Sequence, residues 1–259
     1  MNMPVKTRTT LLLGDVYGES GCRVLFLKLK SLIKERRADF TVVNGENACG
    51  GFGISVENMN TLFACGADVI TSGNHIWQRE EIFPYLDGES RLLRPANYGN
   101  LAPGHGSCVY RGTGVINIQG RRDMPPTEDP FTWAENLVNR IKGETKTVFV
   151  DFHAENAEEK EAMAFFLDGR VTAVVGTHIH VQTSDERILP GGTAYITDLG
   201  MCGPGDGIIG SNPEISLRRQ MTQMPLKAQP AEGECIISGL CVVSDENTGK
   251  ALEIERFCI

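Results

Sequence analysis

Two histidines, His178 and His180, stand one residue apart in a chain that contains five histidines in 259 residues. Imidazole is a common ligand of transition metals, and a pair at this spacing predicts contacts to two neighbouring metal ions. The pair follows the apolar run 171–175, which predicts a buried strand. The two histidines are therefore expected just beyond the carboxyl end of a strand, where open α/β sheets place their sites.

Four further polar groups follow apolar runs in the same way. They are Gly14-Asp15-Val16-Tyr17, Asn44-Gly45-Glu46-Asn47, Ser72-Gly73-Asn74-His75 and Asp151-Phe152-His153-Ala154. If the preceding strands are neighbours, seven side chains converge on one patch: Asp15, Glu46, Asn47, Asn74, His153, His178 and His180. Carboxylate, amide and imidazole ligands together favour manganese, iron or zinc over magnesium or calcium, which usually take oxygen ligands alone.

Taken singly, most of these residues have an ordinary structural explanation. Asp15 after a glycine is typical of a turn, and Asn47 and Asn74 are residue types that accept left-handed backbone. His153 alone would be a partly buried histidine with a satisfied ring, and His105, between two glycines, is assigned to an exposed loop without a role. The joint pattern favours a metal site, because four of the five histidines stand at predicted strand ends beside Asp, Asn or another His.

Composition limits the classes of function. The formal net charge of −8 argues against sequence-independent binding of nucleic acid, because such binding needs a basic surface. A small phosphate ester held by metal ions is compatible with this charge. The eight cysteines form no Cys-x-x-Cys pair, which favours reduced thiols. No stretch is long enough for a signal peptide or membrane span, so we expect a cytoplasmic protein without membrane contact, and a homo-oligomer is left open.

Predicted strands and helices alternate along the chain, which indicates an α/β fold with parallel strands. The predicted strands are 9–13, 40–43, 68–71, 147–150 and 171–175, and the predicted helices are 22–36, 56–65 and 157–167. Three C-terminal segments, 193–197, 235–243 and 251–257, are assigned to a second sheet. Residues 86–130, rich in Gly, Pro and Asn, are expected to form turns and short strands that cap the sheet, and are a candidate lid. We predict a single domain over residues 1–259, built as two packed sheets flanked by helices.

The order of the strand-end groups resembles the calcineurin-like metallophosphoesterases, whose pattern runs Asp-x-His, Gly-Asp, Gly-Asn-His, His and Gly-His-x-His. The chain departs from it at Tyr17, where His is usual, and at Glu46, where the bridging Asp is usual. These departures and three segments resemble the bacterial YmdB-type family of 2′,3′-cyclic-nucleotide 2′-phosphodiesterases. The segments are Asn44-Gly45-Glu46-Asn47, Arg94-Pro95-Ala96-Asn97-Tyr98 and Asp198-Leu199-Gly200-Met201.

This resemblance covers nearly the whole chain and is less close over 119–129 and 218–233. It implies a metallophosphoesterase-like β-sandwich of two sheets flanked by helices, in α/β/β/α layers, with a small cap region. It also implies a single metallophosphoesterase domain that hydrolyses cyclic nucleotides, with 2′,3′-cyclic nucleotides as the first candidate substrate and 3′,5′-cyclic nucleotides as the second.

The resemblance further implies two divalent or trivalent metal ions bridged by Glu46, with iron or manganese favoured over zinc. One ion would be held by Asp15, Asn47 and His180, and the other by Asn74, His153 and His178. Asn47 then supplies the ligand that Tyr17 cannot. A hydroxide shared by ions about 3.5–4 Å apart would attack phosphorus in line. His75, outside the ligand set, would be the catalytic acid or would stabilise the charge of the leaving oxygen.

Two other functions remain open. A phosphomonoesterase or phosphoprotein phosphatase could use the same site, because the motifs define the reaction better than the leaving group. A regulatory scaffold could retain the fold and act through a protein or RNA partner. The glycine-rich segment 49–53 either admits substrate or is a flexible loop before a helix capped by Ser55. The turn 203–207 either borders the cleft or is a plain loop.

Overall fold

The computed structural model describes residues 6–259. The strands in this range are β1 (Thr7–Tyr17), β2 (Phe40–Asn47), β3 (Val69–Thr71), β4 (Ser107–Tyr110), β5 (Thr113–Gln119), β6 (Val148–His153), β7 (Ala173–Thr177), β8 (Arg187–Ile188), β9 (Ala194–Ile196), β10 (Met201–Pro204), β11 (Cys235–Asp245) and β12 (Ala251–Cys258). The α-helices are α1 (Gly18–Glu35), α2 (Val56–Cys65), α3 (Phe83–Gly88), α4 (Pro130–Ile141), α5 (Ala157–Phe166) and α6 (Pro213–Thr222). A short 3-10 helix, Asn74–Gln78, follows β3.

Two six-stranded sheets form the centre of the fold. The strand order is β12-β11-β10-β1-β2-β3 in the first sheet and β4-β5-β6-β7-β9-β8 in the second. In the first sheet β10, β1, β2 and β3 run parallel, and in the second β5, β6, β7 and β9 run parallel. Parallel strands end at the same edge, so each sheet gathers the residues at its strand ends along one edge.

Alternate residues of the central strands point into different layers, as the two-residue period of a strand requires. In β1, Leu12 packs between the sheets and Leu11 faces the helices. In β6, Phe149 packs between the sheets and Val150 faces the helices. Helices α1 and α2 cover the first sheet, and α4 and α5 cover the second. The α/β/β/α arrangement predicted from the sequence is thereby confirmed.

The C-terminal strands divide between the sheets. Strand β9 lies in the second sheet, as expected, but β11 and β12 lie in the first. Strand β11 runs antiparallel to β1, with Thr7 opposite Asp245 and Leu13 opposite Gly239. The prediction of a second-sheet position was wrong for β11 and β12, because local alternation identifies a strand but carries no information about its distant partner.

Residues 86–130 also differ from the expected cap. Strands β4 and β5 belong to the second sheet, and every residue of β5 is buried. Two of these residues are polar: Asn117 accepts a hydrogen bond from the backbone of Ser72, and Gln119 accepts one from the hydroxyl of Tyr98. These buried polar residues obscured the strand in the sequence. A lid role for the turns around it stays a prediction.

None of the helices within residues 6–259 is both long enough and apolar enough to cross a membrane.

Candidate metal centre

The two sheets direct their strand ends towards one cleft. Strands β1 and β2 are longer than predicted, so Asp15, Glu46 and Asn47 lie in their last residues, and Asn74 opens the 3-10 helix after β3. His153 is the last residue of β6, whereas His178 and His180 follow β7. The seven candidate ligands thus come from both sheets. The prediction that their strands are neighbours in one sheet was wrong, because the strands belong to two facing sheets whose ends meet at the cleft.

Glu46 is fully buried at the centre of this group. Its Oε1 lies 3.1 Å from Nε2 of His153 and accepts a 3.1 Å hydrogen bond from Nδ2 of Asn47. Its Oε2 accepts a hydrogen bond from the backbone amide of His75. Burial opposes ionisation, but the charges and hydrogen bonds of His153 and His75 hold the pKa of Glu46 well below its usual range. Glu46 is therefore an ionised carboxylate between the sheets.

His153 contacts candidate ligands from both sheets. Its Nε2 lies 3.0 Å from Nδ1 of His178 and 3.2 Å from Oδ1 of Asn74. Ligand atoms of Glu46, His153 and His178 all lie within 4.8 Å of one another. A carboxylate and two imidazoles this close are suited to a single transition-metal ion.

A buried hydrogen-bond relay orients His153. Its Nδ1 lies 2.9 Å from Oγ1 of Thr177, and Thr177 donates to Oδ1 of Asp151 at 2.6 Å. A hydroxyl has one proton, so Thr177 accepts from Nδ1–H and Nε2 is directed at the cleft. Burial lowers the pKa of His153, but the charge and hydrogen bond of Glu46 raise it to about 9. The relay thus exposes the ring nitrogen that a metal would need.

His180 is oriented by a backbone carbonyl that also lines the cleft. Its Nδ1 lies 3.0 Å from the carbonyl oxygen of Ile209, which can only accept, so Nε2 faces Asp15 and Asn47. Burial raises the pKa of Asp15 to about 6. Oδ1 of Asp15 is buried, has no hydrogen-bond partner, and lies 3.8 Å from Nε2 of His180. An unsatisfied buried carboxylate oxygen is costly, and a cation beside His180 would satisfy it.

The backbone of the histidine turn is strained. His178 has φ +103° and His180 has φ +68°, values that residues with a side chain rarely adopt. Two carboxylates hold the turn: Oδ2 of Asp15 accepts from the amide of His178, and Oδ2 of Asp198 accepts from the amide of Ile179, each at 3.1 Å. The segment that begins at Asp198 therefore positions the histidines.

Gly73 lets the two sheets approach each other at the site. A Cβ atom on this residue would lie 2.1 Å from Oε2 of Glu46 and 2.2 Å from Nε2 of His153. A side chain at position 73 would therefore separate Glu46 from His153.

His75 lines the cleft, whose volume is about 430 Å³. Its Nδ1 lies 2.7 Å from Oδ1 of Asn47 and 3.3 Å from Oε1 of Glu46. Its ring packs edge-on against Phe52, with 4.9 Å between the ring centroids. The side chain is 24% exposed, so it can meet a substrate in the cleft.

Asn47 and Tyr17, two residues of the first sheet, both contact the candidate ligand His180. The amide nitrogen of Asn47, not its oxygen, faces Nε2 of His180 at 3.1 Å. A ligand role for Asn47 requires a half-turn of the amide, which exchanges O and N. The turn would break the hydrogen bond from Asn47 to Oε1 of Glu46 and reverse the one shared with Nδ1 of His75. The hydroxyl of Tyr17 is bonded to Ser211 at 2.6 Å, and its ring packs edge-on against His180. Tyr17 thus supports a candidate ligand without being one.

Several residues that position the site were not identified from the sequence. They are Asn44, Asp151, Glu155, Lys160, Thr177 and Asp198. Asn44 donates to Asp151 at 3.0 Å and so links β2 to β6 across the sheets. Asn44 and Asp151 both belong to the polar groups that follow predicted strands, and this position was the sequence signal by which they could have been identified. Glu155, 3.1 Å from Nε2 of His178, and Lys160, buried in an ion pair with Asp198, follow no local pattern.

Comparison with known proteins assigns the chain to a family. The family model described as YmdB-like protein matches residues 11–257. The 2′,3′-cyclic-nucleotide 2′-phosphodiesterase of Bacillus subtilis (strain 168) is 44% identical over 253 residues, which cover 96% of each chain. A crystal structure of a novel phosphatase from Mycoplasma pneumoniae matches with a TM-score of 0.92 at 34% identity, covering 98% of this chain and 94% of that one. A hypothetical protein from Thermus thermophilus matches with a TM-score of 0.89 at 35% identity, covering 97% of this chain and 98% of that one. The chain therefore belongs to the YmdB-like protein family, as its strand-end residues had indicated.

Proposed function

We propose that this protein hydrolyses 2′,3′-cyclic nucleotides at a centre of two metal ions. The chain is an enzyme of the phosphodiesterase class, in keeping with its Bacillus subtilis relative. The number of ions and the choice of cyclic nucleotide are the proposal. It rests chiefly on the position of Glu46, whose Oε1 contacts Asn47 on one side and His153 on the other.

The candidate ligands divide into two sets around Glu46. Asp15, Asn47 and His180 would hold one ion, and Asn74, His153 and His178 the other. The unsatisfied oxygen of Asp15 and the close group of Glu46, His153 and His178 both fit this division. The mixture of carboxylates, amides and imidazoles favours iron or manganese over zinc. Bound there, the ions would neutralise charge on the phosphate and bring the pKa of a water molecule to about 7.

His75 is the acid in this proposal. Its Nδ1 contacts Asn47 and Glu46, which leaves Nε2 for the substrate. In the reaction, water oxygen forms a bond to phosphorus, the bond from phosphorus to the ribose 2′-oxygen breaks, and the 2′-oxygen takes up a proton. Nε2–H of His75 would donate that proton, and the product is the 3′-phosphate.

A phosphomonoesterase is the second candidate, since the structurally similar Mycoplasma pneumoniae protein is described as a phosphatase. The ligand arrangement suits either reaction, because both require attack of water on phosphorus.

A substrate panel with the metal-loaded protein separates these functions. We expect turnover of 2′,3′-cyclic AMP to 3′-AMP, identified by chromatography, at a higher kcat/KM than for 3′,5′-cyclic AMP, p-nitrophenyl phosphate or a phosphoserine peptide. Turnover of the monoesters without the cyclic substrate would establish the phosphatase. If the metal-replete protein hydrolyses no phosphoester and Glu46→Gln leaves its cellular effect unchanged, the chain is a regulatory scaffold.

A further inference from the structure

The cleft at the candidate metal centre adjoins a second hollow. Phe52 lines both, and Ala228 on the cleft is the chain neighbour of Lys227 on the hollow. The hollow has a volume of about 290 Å³ and is also lined by Gln78 and Arg79. A ligand larger than one nucleotide could therefore extend from the cleft past Phe52.

The second hollow is cationic although the chain has a net charge of −8. None of its lining residues is acidic. Within residues 6–259, the ion pairs of lysine and arginine include neither Arg79 nor Lys227. Two uncompensated positive charges on one small concave surface favour an anionic ligand.

Arg79 is held in place although its charge is unpaired. Its Nε donates to the carbonyl oxygen of Phe52 at 3.2 Å, and its Nη2 donates to that of Cys49 at 3.1 Å. Gly53, at φ +77°, allows this approach, because a Cβ there would lie 3.0 Å from Cγ of Arg79. The arginine thus joins the hollow to the loop that carries Phe52.

Phe52 stands between the two spaces as an aromatic wall. Its ring meets the edge of His75 on the cleft side. Aromatic side chains beside positive charges are the usual means by which proteins bind single-stranded nucleic acid, with bases on the rings and phosphates on the cations. The hollow therefore has the chemistry to receive the next phosphate of a nucleotide chain.

We propose that the second hollow binds an internucleotide phosphate, so that the preferred substrate is an oligoribonucleotide ending in a 2′,3′-cyclic phosphate. This inference rests on the proposed function. Such an end forms when a ribose 2′-oxygen attacks the adjacent phosphodiester and the 5′-oxygen of the next nucleotide leaves. The reaction that supplies the substrate is then RNA cleavage by transesterification. Because contact is confined to the chain end, a protein with a net charge of −8 can bind it.

The test compares three substrates on the metal-loaded protein: 2′,3′-cyclic AMP, the dinucleotide ApA with a 2′,3′-cyclic phosphate, and the same dinucleotide with an uncharged methylphosphonate linkage. We expect kcat/KM about tenfold higher for the charged dinucleotide than for the mononucleotide. The uncharged linkage should lose most of that advantage, and raising the ionic strength should reduce it.

Lys227→Gln tests the protein side of the same contact. Lys227 is exposed and outside the proposed catalytic groups. The variant should lower kcat/KM for the charged dinucleotide about three- to tenfold, through KM, and leave the mononucleotide value within about twofold. Lys34→Gln makes the same charge change at an exposed site near the end of α1 and should alter neither value.

Two results would overturn the inference: equal kcat/KM for the charged dinucleotide and the mononucleotide, or an equal loss of kcat/KM for both substrates in Lys227→Gln. In either case, hydrolysis of 2′,3′-cyclic AMP would still support the proposed function. Failure of the wild-type protein to hydrolyse either cyclic phosphate would reject the proposed function, and this inference with it.

Discussion

Oε1 of Glu46 lies 3.1 Å from Nε2 of His153, and the two side chains belong to different sheets. Both side chains are fully buried. A buried carboxylate and imidazole are costly unless they are paired, so their contact favours one alignment of the sheets. The same alignment brings the candidate metal ligands of both sheets together.

Glu46→Gln is expected to deplete both metals together. The substitution keeps the shape of the side chain but removes the negative charge that would bridge two cations. Metal content by elemental analysis is the measurement, and phosphodiesterase activity should fall with it. Glu57→Gln, exposed on α2, is the matched control and should retain both. Full retention of both metals by Glu46→Gln would contradict a bridging role.

His75→Ala is expected to lower kcat by roughly 10²–10⁴-fold, the usual effect of losing a general acid, with metal content nearly unchanged. The readouts are single-turnover kinetics and elemental analysis on the same preparation. His105→Ala serves as the control, because its exposed ring lies 3.3 Å from the backbone carbonyl oxygen of Asp87 in α3 and does not line the cleft. Loss of metal in proportion to activity would show that His75 is a ligand rather than the acid.

Thr177→Val is expected to weaken metal affinity by about 10- to 100-fold. The change removes the acceptor for Nδ1–H of His153 and the donor to Asp151, so the imidazole is no longer held with Nε2 towards the cleft. Metal titration supplies the dissociation constant. Thr10→Val is the matched control, because Thr10 is equally buried in a strand but its hydroxyl has no partner. Equal affinities for the two variants would rule out the relay.

Metal affinity is expected to rise with pH between about 6.5 and 9. Despite burial, Glu46 raises the pKa of His153 to about 9, so the metal-free protein carries a proton there at neutral pH. A metal binds only the neutral ring, so uptake releases that proton until pH exceeds 9. Burial, followed by the charge of His153, lowers the pKa of His178 to about 3, so this ring has no proton to release in the same range. Calorimetry in buffers of different ionisation enthalpy measures how many protons are released when the metal binds. Release of no proton at pH 7 would contradict the predicted loss of a proton from His153.

The local elements were largely predictable, because each depends on residues close together in the chain. Helix α2 begins and ends at the predicted residues, 56 and 65, since its apolar period, its cap at Ser55 and the following Gly66 are all local signals. The groups around Asp15, Glu46 and His178 were predictable for a similar reason: polar residues directly after buried strands stand out from the apolar pattern. Their roles as ligands stay predictions.

Sheet membership was less predictable. Strand β11 alternates as a strand of either sheet would, and only its pairing with β1 shows that it extends the first sheet. Strand β5 was hidden because Asn117 and Gln119 are buried with hydrogen-bond partners that lie elsewhere in the chain.

By itself, the sequence determined which residues stand at strand ends and, through Tyr17, Glu46 and Asn47, which family they resemble. The tertiary structure decided that the strand ends come from two facing sheets, that Thr177 and Asp151 orient His153, and that a cationic hollow adjoins the cleft. The physical reason is distance along the chain. Periodicity and capping act over a few residues, whereas the bond from the amide of His178 to Asp15 joins positions 163 residues apart and exists only when the two sheets have packed together.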